Sequence, residues 1–221
     1  RCNLCQERTL IFIDGKILST SKNWIRDHVH IMKAMKHWEY DPGSFLDFII
    51  GTQRADGQYF ELIKQMDDVH WSFVNEDCRV FYPEDNLSLV RLELEADIEY
   101  LVVEGAVYLY RTTGDDGWLR EVLPKLEKGI DYITSDPKRW DSGRGLVKRP
   151  FTVDTWDFTC LKDAGTNRRI EENTPMSIMH GDNSGVYQAM RQLAWFNRRL
   201  GREEKAENWE ARAEELKENI F

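Results

Sequence analysis

The chain has 221 residues and a formal net charge of −9, and 41% of its residues are hydrophobic. This length allows one domain, or two small ones, with a substantial buried core. The acidic balance argues against nucleic acid as the main partner, because phosphate recognition needs a basic surface. No run of 18 apolar residues occurs, so the sequence predicts no transmembrane helix and no membrane partner.

The cysteines predict neither a disulfide framework nor a metal site. They are few and scattered, at positions 2, 5, 78 and 160. Reduced thiols are therefore expected, which leaves the compartment open with the cytoplasm slightly favoured. Cys2 and Cys5 have zinc-knuckle spacing, but no second C-x-x-C follows and the five histidines lack ligand spacing. We therefore expect no metal and no other cofactor.

The N-terminal third predicts a β-hairpin followed by two helices. Residues 8–18 form the predicted hairpin, which turns at Asp14-Gly15, and we treat residues 1–18 as a short extension preceding a domain over 19–221. The helices are predicted over residues 23–38 and 44–53. The following stretch, 54–86, lacks periodicity and is predicted to be a long functional loop.

The remaining helices form two predicted pairs. The first pair is 97–112, apolar almost all round, and 116–133, apolar on one stripe; the second is 184–200 and 202–220. With the N-terminal pair, the chain would contain three helical hairpins whose first helices are the more buried. This pattern predicts an all-α fold, either hairpins stacked around a core or an open solenoid or bundle.

One segment combines acidic and aromatic residues in a pattern suited to acid catalysis. Asp154 and Asp157 lie on either side of Trp156, with a phenylalanine at each end and Arg149 nearby. Aromatic surroundings disfavour ionisation and raise the pKa of a carboxyl group, and an indole face can support a sugar ring. The alternative is a capping turn with a buried tryptophan.

Several short motifs follow one another along the chain. They are W-x-R-D at 24–27, Q-x-x-D-G at 53–57, an acidic residue at 97, turns at 112–119 and 200–202, D-S-G-R-G-L at 141–146 and D-x-W-D at 154–157. Their order and spacing resemble those of the six-hairpin glycosidases, a group with an (α/α)6 toroid that includes glucoamylase, trehalase and the debranching glucosidase. The likeness covers most of residues 19–221.

The resemblance implies an inverting glycoside hydrolase that acts on oligo- or polysaccharides. The chain would form about three of the six hairpins of an α/α toroid, with the missing C-terminal half as its partner and the source of the catalytic base. Asp157 is the expected general acid and Asp154 the second choice. Relatives such as glucoamylase have Glu at the acid position, so Asp157 has a shorter reach.

The resemblance also implies a set of carbohydrate-binding residues. These are Trp24, Arg26, Asp27, Asp56, Asp97, Arg149 and Trp156. We expect Asp27, Asp97 and Asp157 to face one depression at the N-terminal ends of the inner helices. The alternatives are a first-turn ion pair between Arg26 and Asp27, and a purely capping role for Asp97.

Two other functions fit the same sequence. One is a non-catalytic helical scaffold or carbohydrate-binding fragment. The other is a polysaccharide lyase on a related toroid, which would need a Tyr or His base and an Arg or Asn to neutralise a uronate. Neutral and uronic oligosaccharides distinguish the hydrolase from the lyase.

Overall fold

The computed structural model describes residues 9–21, 23–66, 79–150, 170 and 172–221. The chain begins with a β-hairpin in which β1 (Thr9–Ile13) pairs antiparallel with β2 (Lys16–Thr20). Asp14 and Gly15 at the turn have φ angles of 49° and 73°, in the left-handed region that such two-residue turns require. The predicted hairpin is therefore confirmed.

A three-stranded antiparallel sheet follows the first two helices, α1 (Ile25–Met35) and α2 (Ser44–Gly51). Its strands are β3 (Leu62–Gln65), β4 (Arg79–Tyr82) and β5 (Leu87–Val90), in the order β3-β5-β4. A 3-10 turn at Pro83–Asp85 leads from β4 into β5. The prediction of an unstructured loop over 54–86 is therefore wrong for the described part of that stretch.

The described residues after β5 form four helices and two short strand pairs. The helices are α3 (Ile98–Thr113), α4 (Asp116–Ile133), α5 (His180–Arg199) and α6 (Glu203–Ile220). The strands are β6 (Trp140–Asp141) with β7 (Leu146–Val147), and β8 (Arg149–Pro150) with β9 (Met176–Ser177). Helix α4 matches its predicted bounds, whereas α5 begins four residues before the predicted Ser184.

The prediction of an all-α toroid is wrong. The structure is mixed, with 52% helix, 17% strand and several small antiparallel sheets. The error arises because residues in the predicted loop satisfy their backbone hydrogen bonds by pairing between strands that are distant in sequence, as Leu62 does with Val90. Helical periodicity, on which the prediction rested, carries no information about such pairing.

Helix α3 packs against four other helices, α1, α2, α4 and α5. Gly105 allows the close approach of α1, because a Cβ atom there would lie 2.9 Å from Val29 Cγ2. The predicted burial order holds for α3 over α4 and for α5 over α6. It is wrong for the first pair, since α2 is enclosed between β2 and α3 and is as buried as α1. None of the helices described is long and apolar enough to cross a bilayer.

Candidate functional site

The first turns of α1 and α3 are joined by a buried ion pair. Arg26 donates hydrogen bonds from Nε to Asp97 Oδ2 at 2.5 Å and from Nη2 to Asp97 Oδ1 at 2.8 Å. The same guanidinium also contacts the Glu95 carboxylate, which is fully buried. This fork geometry matches the planar donors of arginine to two carboxylates and fixes the start of α1 against the segment entering α3.

A second arginine organises the segment between β5 and α3. Arg91 is fully buried and donates to the Glu95 carbonyl at 2.7 Å and to Glu99 Oε2 at 3.2 Å. Glu61, next to β3, is also fully buried, and neither of its carboxylate oxygens makes a hydrogen bond of ordinary geometry with the described residues. Buried carboxylates normally have such partners, so Glu61 is an exception that needs a physical explanation.

Helix α5 brings a further carboxylate to the same end of the molecule. Asn183 fixes the start of α5 by accepting from Val147 N–H at 2.8 Å and donating to the Val147 carbonyl at 3.0 Å. This places the neighbouring Asp182 with its Oδ2 atom 3.9 Å from Arg149 Nη1 on β8. Both side chains are buried.

We define the charge cluster by its nine members: Arg26, Glu61, Arg91, Glu95, Asp97, Glu99, Arg139, Arg149 and Asp182. Five are carboxyl groups and four are guanidiniums, which leaves one negative charge in excess if every group is ionised. Burial raises the pKa of Glu61 to about 8, against the opposing attraction of Arg91 and Arg26. A protonated Glu61 at neutral pH makes the remaining charges equal in number.

The other acids of the charge cluster respond differently to the same burial. Burial also raises the pKa of Glu95, and the nearby Glu61 and Asp97 raise it further. Burial acts on Asp97 too, but the hydrogen bonds and charge of Arg26 hold its pKa below the ordinary value. Asp97 is thus a fixed negative charge, whereas Glu61 and Glu95 hold protons more readily.

Three of the predicted binding residues belong to the charge cluster. Arg26, Asp97 and Arg149 come from distant parts of the sequence and meet at the start of α3. Arg26 binds Asp97 and Glu95, so the first-turn pair with Asp27 is not its role. Asp97 occupies the N-cap position of α3 but makes no side-chain capping bond, so the purely capping alternative is also wrong.

The other predicted residues lie elsewhere or outside the described residues. Trp24 is half-buried, bridges to Leu62 through its backbone and packs on the small apolar cluster beside the sheet. Asp27 is exposed on α1, and Asp56 is exposed in a turn where it lies 3.6 Å from Arg54 and accepts from Gln58 N–H. Asp154, Trp156 and Asp157 lie outside the described residues, so the common depression expected for Asp27, Asp97 and Asp157 stays a prediction.

Sequence reasoning missed Glu61, Arg91, Glu99, Arg139 and Asp182. Asp182 and Asn183 introduce polar side chains just before the apolar part of α5, which was the one local signal available. For Glu61, no local pattern separates a buried carboxylate from an exposed one. Its burial comes from the sheet and α3, which are joined only in the folded chain.

The segment that carries the candidate acids is bounded by residues tied to the charge cluster or next to it. Arg149 belongs to the charge cluster, and β8 pairs with β9, which follows the segment. At the far end, Ile170 N–H donates to Glu93 Oε2 at 2.7 Å, and Glu93 also binds Lys138 at 2.9 Å. The chain therefore leaves the cluster at Arg149 and returns beside it at Ile170.

Among the residues described, no group of three or more His, Cys, Asp or Glu side chains is arranged to hold a metal ion. Comparison of the chain with protein-family models, with curated proteins and with solved structures found no match.

Proposed function

We propose that this chain forms part of a glycoside hydrolase that cleaves O-glycosidic bonds of oligo- or polysaccharides with inversion, as the resemblance to the six-hairpin glycosidases implies. Asp157 is the proposed general acid, with Asp154 as the alternative. The observation that carries the proposal is the connection between the D-x-W-D segment and the charge cluster. Arg149, at the start of that segment, is itself part of the cluster.

The reach of the chain supports this connection. Asp154 follows Arg149 by five residues and Asp157 by eight. An extended chain spans at most ~3.5 Å per residue, so chain length alone limits the Cα atoms of the two acids to roughly 18 and 28 Å from that of Arg149. Both acids can therefore reach a substrate bound at the charge cluster.

The charges of the cluster favour a neutral sugar over a uronic one. Each guanidinium of the best-described pairs already has a carboxylate: Arg26 has Asp97, and Arg91 has Glu99. The guanidiniums of these two pairs are therefore not free to neutralise a uronate. Asp97, which Arg26 keeps ionised, can instead accept a hydrogen bond from a neutral hydroxyl. This pairing favours the hydrolase over the lyase.

The proposed chemistry assigns separate roles to the two parts of the site. Hydrolysis requires an acid that protonates the leaving oxygen and a second carboxylate that activates water on the opposite face of the sugar. Asp157, between aromatic neighbours, is suited to donate the proton. Arg26 and Asp97 would hold hydroxyls of the sugar. The resemblance implies that the base lies outside this chain.

The proposal is tested with the full-length protein and a panel of neutral and uronic oligosaccharides, with the anomeric configuration of the product followed by NMR. Asp157→Asn should lower turnover by about 10²–10⁴-fold, the usual share of general acid catalysis. The loss should be small for glycosyl fluorides, whose leaving group departs without protonation. Asp154→Asn should raise KM without that dependence on the leaving group.

A matched control is Asp116→Asn, the same chemical change at a partly exposed position in the first turn of α4, where Asp116 accepts from the Tyr110 hydroxyl rather than from a member of the charge cluster. It should leave turnover unchanged. The opposite leaving-group pattern in the two variants would exchange the roles of Asp154 and Asp157. Binding of saccharides without hydrolysis would instead indicate a carbohydrate-binding protein, and cleavage of uronic substrates with formation of a double bond would indicate a lyase.

A further inference from the structure

One oxygen of the buried Asp182 carboxylate has no hydrogen-bond partner among the described residues. Its residue is 6% exposed, and within the described ranges its Oδ2 atom makes no hydrogen bond. The closest guanidinium nitrogen, Arg149 Nη1, is 3.9 Å away, which is too far for a hydrogen bond. Folding therefore leaves an acceptor at this position that a bound donor can satisfy.

The charged and titratable groups that face Asp182 come from four parts of the chain. They are Arg26 of α1, Asp97 and Tyr100 of α3, Arg139 before β6, and Arg149 of β8. Burial, and to a smaller extent Asp97, raise the pKa of Asp182 to about 6 against the opposing attraction of the three guanidiniums. At neutral pH the group is mainly an ionised acceptor.

An aromatic ring lies beside this acceptor. A Cβ atom at Gly185, three residues after Asp182 on α5, would lie 2.5 Å from Cε2 and Cζ of Tyr100. Residues three apart occupy the same face of a helix, so the missing side chain at Gly185 leaves room for the Tyr100 ring next to Asp182. Tyr100 is half-buried and keeps part of its surface open.

We infer that Asp182, Arg149 and Tyr100 form a hydroxyl-binding subsite, in which the Asp182 carboxylate accepts hydrogen bonds from hydroxyls of a neutral sugar ring. This inference rests on the proposed function and names a substrate-binding residue for it. The Arg149 guanidinium orients the carboxylate and donates to a sugar oxygen, and the ring of Tyr100 supplies an apolar edge. Proton donation stays with Asp157.

The test compares Asp182→Asn with Asp116→Asn in the full-length protein. Calorimetric titrations at pH 7.5 use neutral oligosaccharides of glucose, mannose and galactose. Asp182→Asn replaces an acceptor with an amide of nearly equal shape, and the affinity should fall at least about 10-fold, since hydrogen bonds to charged groups are the stronger ones. Asp116→Asn should bind like the wild type.

A second measurement needs no variant. The side-chain carboxyl signal of Asp182, followed by ¹³C NMR against pH, should report a lower pKa when the site is saturated with saccharide, because the donated hydrogen bonds stabilise the ionised form. By linkage, wild-type affinity should rise as the pH increases from about 5 to 7.5, and this part of the pH dependence should be absent in Asp182→Asn.

The outcomes separate this inference from the proposed function. If the wild type binds a saccharide while Asp182→Asn binds it equally well, or while the Asp182 signal does not respond, the subsite is wrong and the proposed function stands. If the wild type neither binds nor hydrolyses any saccharide of the panel, the proposed function fails and the subsite fails with it.

Discussion

Glu127 on α4 and Glu61 beside β3 are both buried carboxyls, but their surroundings differ. Glu127 Oε1 accepts from Asn197 Nδ2 at 2.8 Å and from Trp209 Nε1 at 3.1 Å, and Oε2 lies 3.1 Å from Lys205 Nζ. Glu61 has no comparable donor among the described residues. Burial of the Glu127 carboxylate is therefore compensated by hydrogen bonds, whereas Glu61 avoids burying a charge by keeping its proton.

This difference in hydrogen bonding distinguishes a carboxyl that stabilises the fold from carboxyls that are open to a ligand under the proposed function. The Glu127 site joins α4, α5 and α6 and leaves neither carboxylate oxygen for a ligand, so its contribution is to stability. In the charge cluster, Glu61, Glu95 and Asp182 each retain at least one oxygen without a donor in the described part of the chain. Such groups reduce stability, and under the proposed function they are the acceptors that a bound sugar would satisfy.

The largest effect is expected where the Glu127 site is broken. Glu127→Ala leaves the buried donors of Asn197 and Trp209 without an acceptor, and the free energy of unfolding should fall by about 3–4 kcal/mol. For a chain of this size the melting temperature should drop by roughly 6–16 °C. Glu214→Ala, which removes an exposed ion pair on α6, serves as the control and should leave the melting temperature nearly unchanged. Equal losses in the two variants would contradict the structural role of Glu127.

Replacing Glu61 should increase the free energy of unfolding rather than lower it. Its pKa rises from 4.5 in the unfolded chain to about 8 in the folded one, so the folded state binds more protons between these values and stability falls as the pH increases. Glu61→Gln removes this dependence. The variant should therefore gain stability relative to the wild type by up to about 1.4 kcal/mol per pH unit between pH 5 and 7.5. Urea unfolding at several pH values measures the difference, with the exposed Glu207→Gln as a control that should follow the wild-type profile.

The contribution of His28 to stability should depend on pH in the direction opposite to that of Glu61. Its ring is buried between Ser21 N–H, at 3.4 Å from Nδ1, and the Pro42 carbonyl, at 3.2 Å from Nε2. Burial lowers its pKa to about 4, so below pH 6.5 the unfolded chain binds the extra proton and stability falls as the pH decreases. In His28→Gln this loss should be smaller by up to about 2–3 kcal/mol between pH 6.5 and 4.5. Parallel acid denaturation of the two proteins would refute the assignment.

The smallest change in stability is expected at Gly185. Alanine there favours the helix by up to about 1 kcal/mol but collides with the Tyr100 ring, so the net change should stay below about 1 kcal/mol. Saccharide affinity should nevertheless fall a few-fold, because the ring is displaced from Asp182. Gly181→Ala has open space at Cβ and provides the matched control on the same helix. Unaltered affinity in Gly185→Ala would remove Tyr100 from the subsite.

Local interactions made part of the fold predictable. Helix α4 begins where predicted because Asp115 caps it by accepting from Gly117 and Trp118 N–H, and its apolar stripe keeps the helical period. The sheet was missed, although Leu87 and Leu89 in β5 lie on either side of the polar Ser88. Its pairing with β3 and β4 joins residues far apart in sequence, which local patterns do not specify.

The site was predictable only in part for a related reason. Arg26, Asp97 and Arg149 were found through short motifs and composition, and the structure brings them together. Asp27 was assigned with them because it is adjacent to Arg26, but it lies on the exposed side of α1. Asp182 and Glu61 acquire their properties from burial, and burial depends on how α3 packs against α5 and the sheet.

The short pairing of β8 with β9 has a consequence for how this chain could diversify. Two residues on each side close the excursion from 151 to 175, and the entropy of closing a loop grows only with the logarithm of its length. Doubling the number of residues between β8 and β9 would lower the free energy of unfolding by only about 0.6 kcal/mol. The pairing of β8 with β9 can therefore accept connecting segments of different length while Arg149 and the rest of the framework are retained.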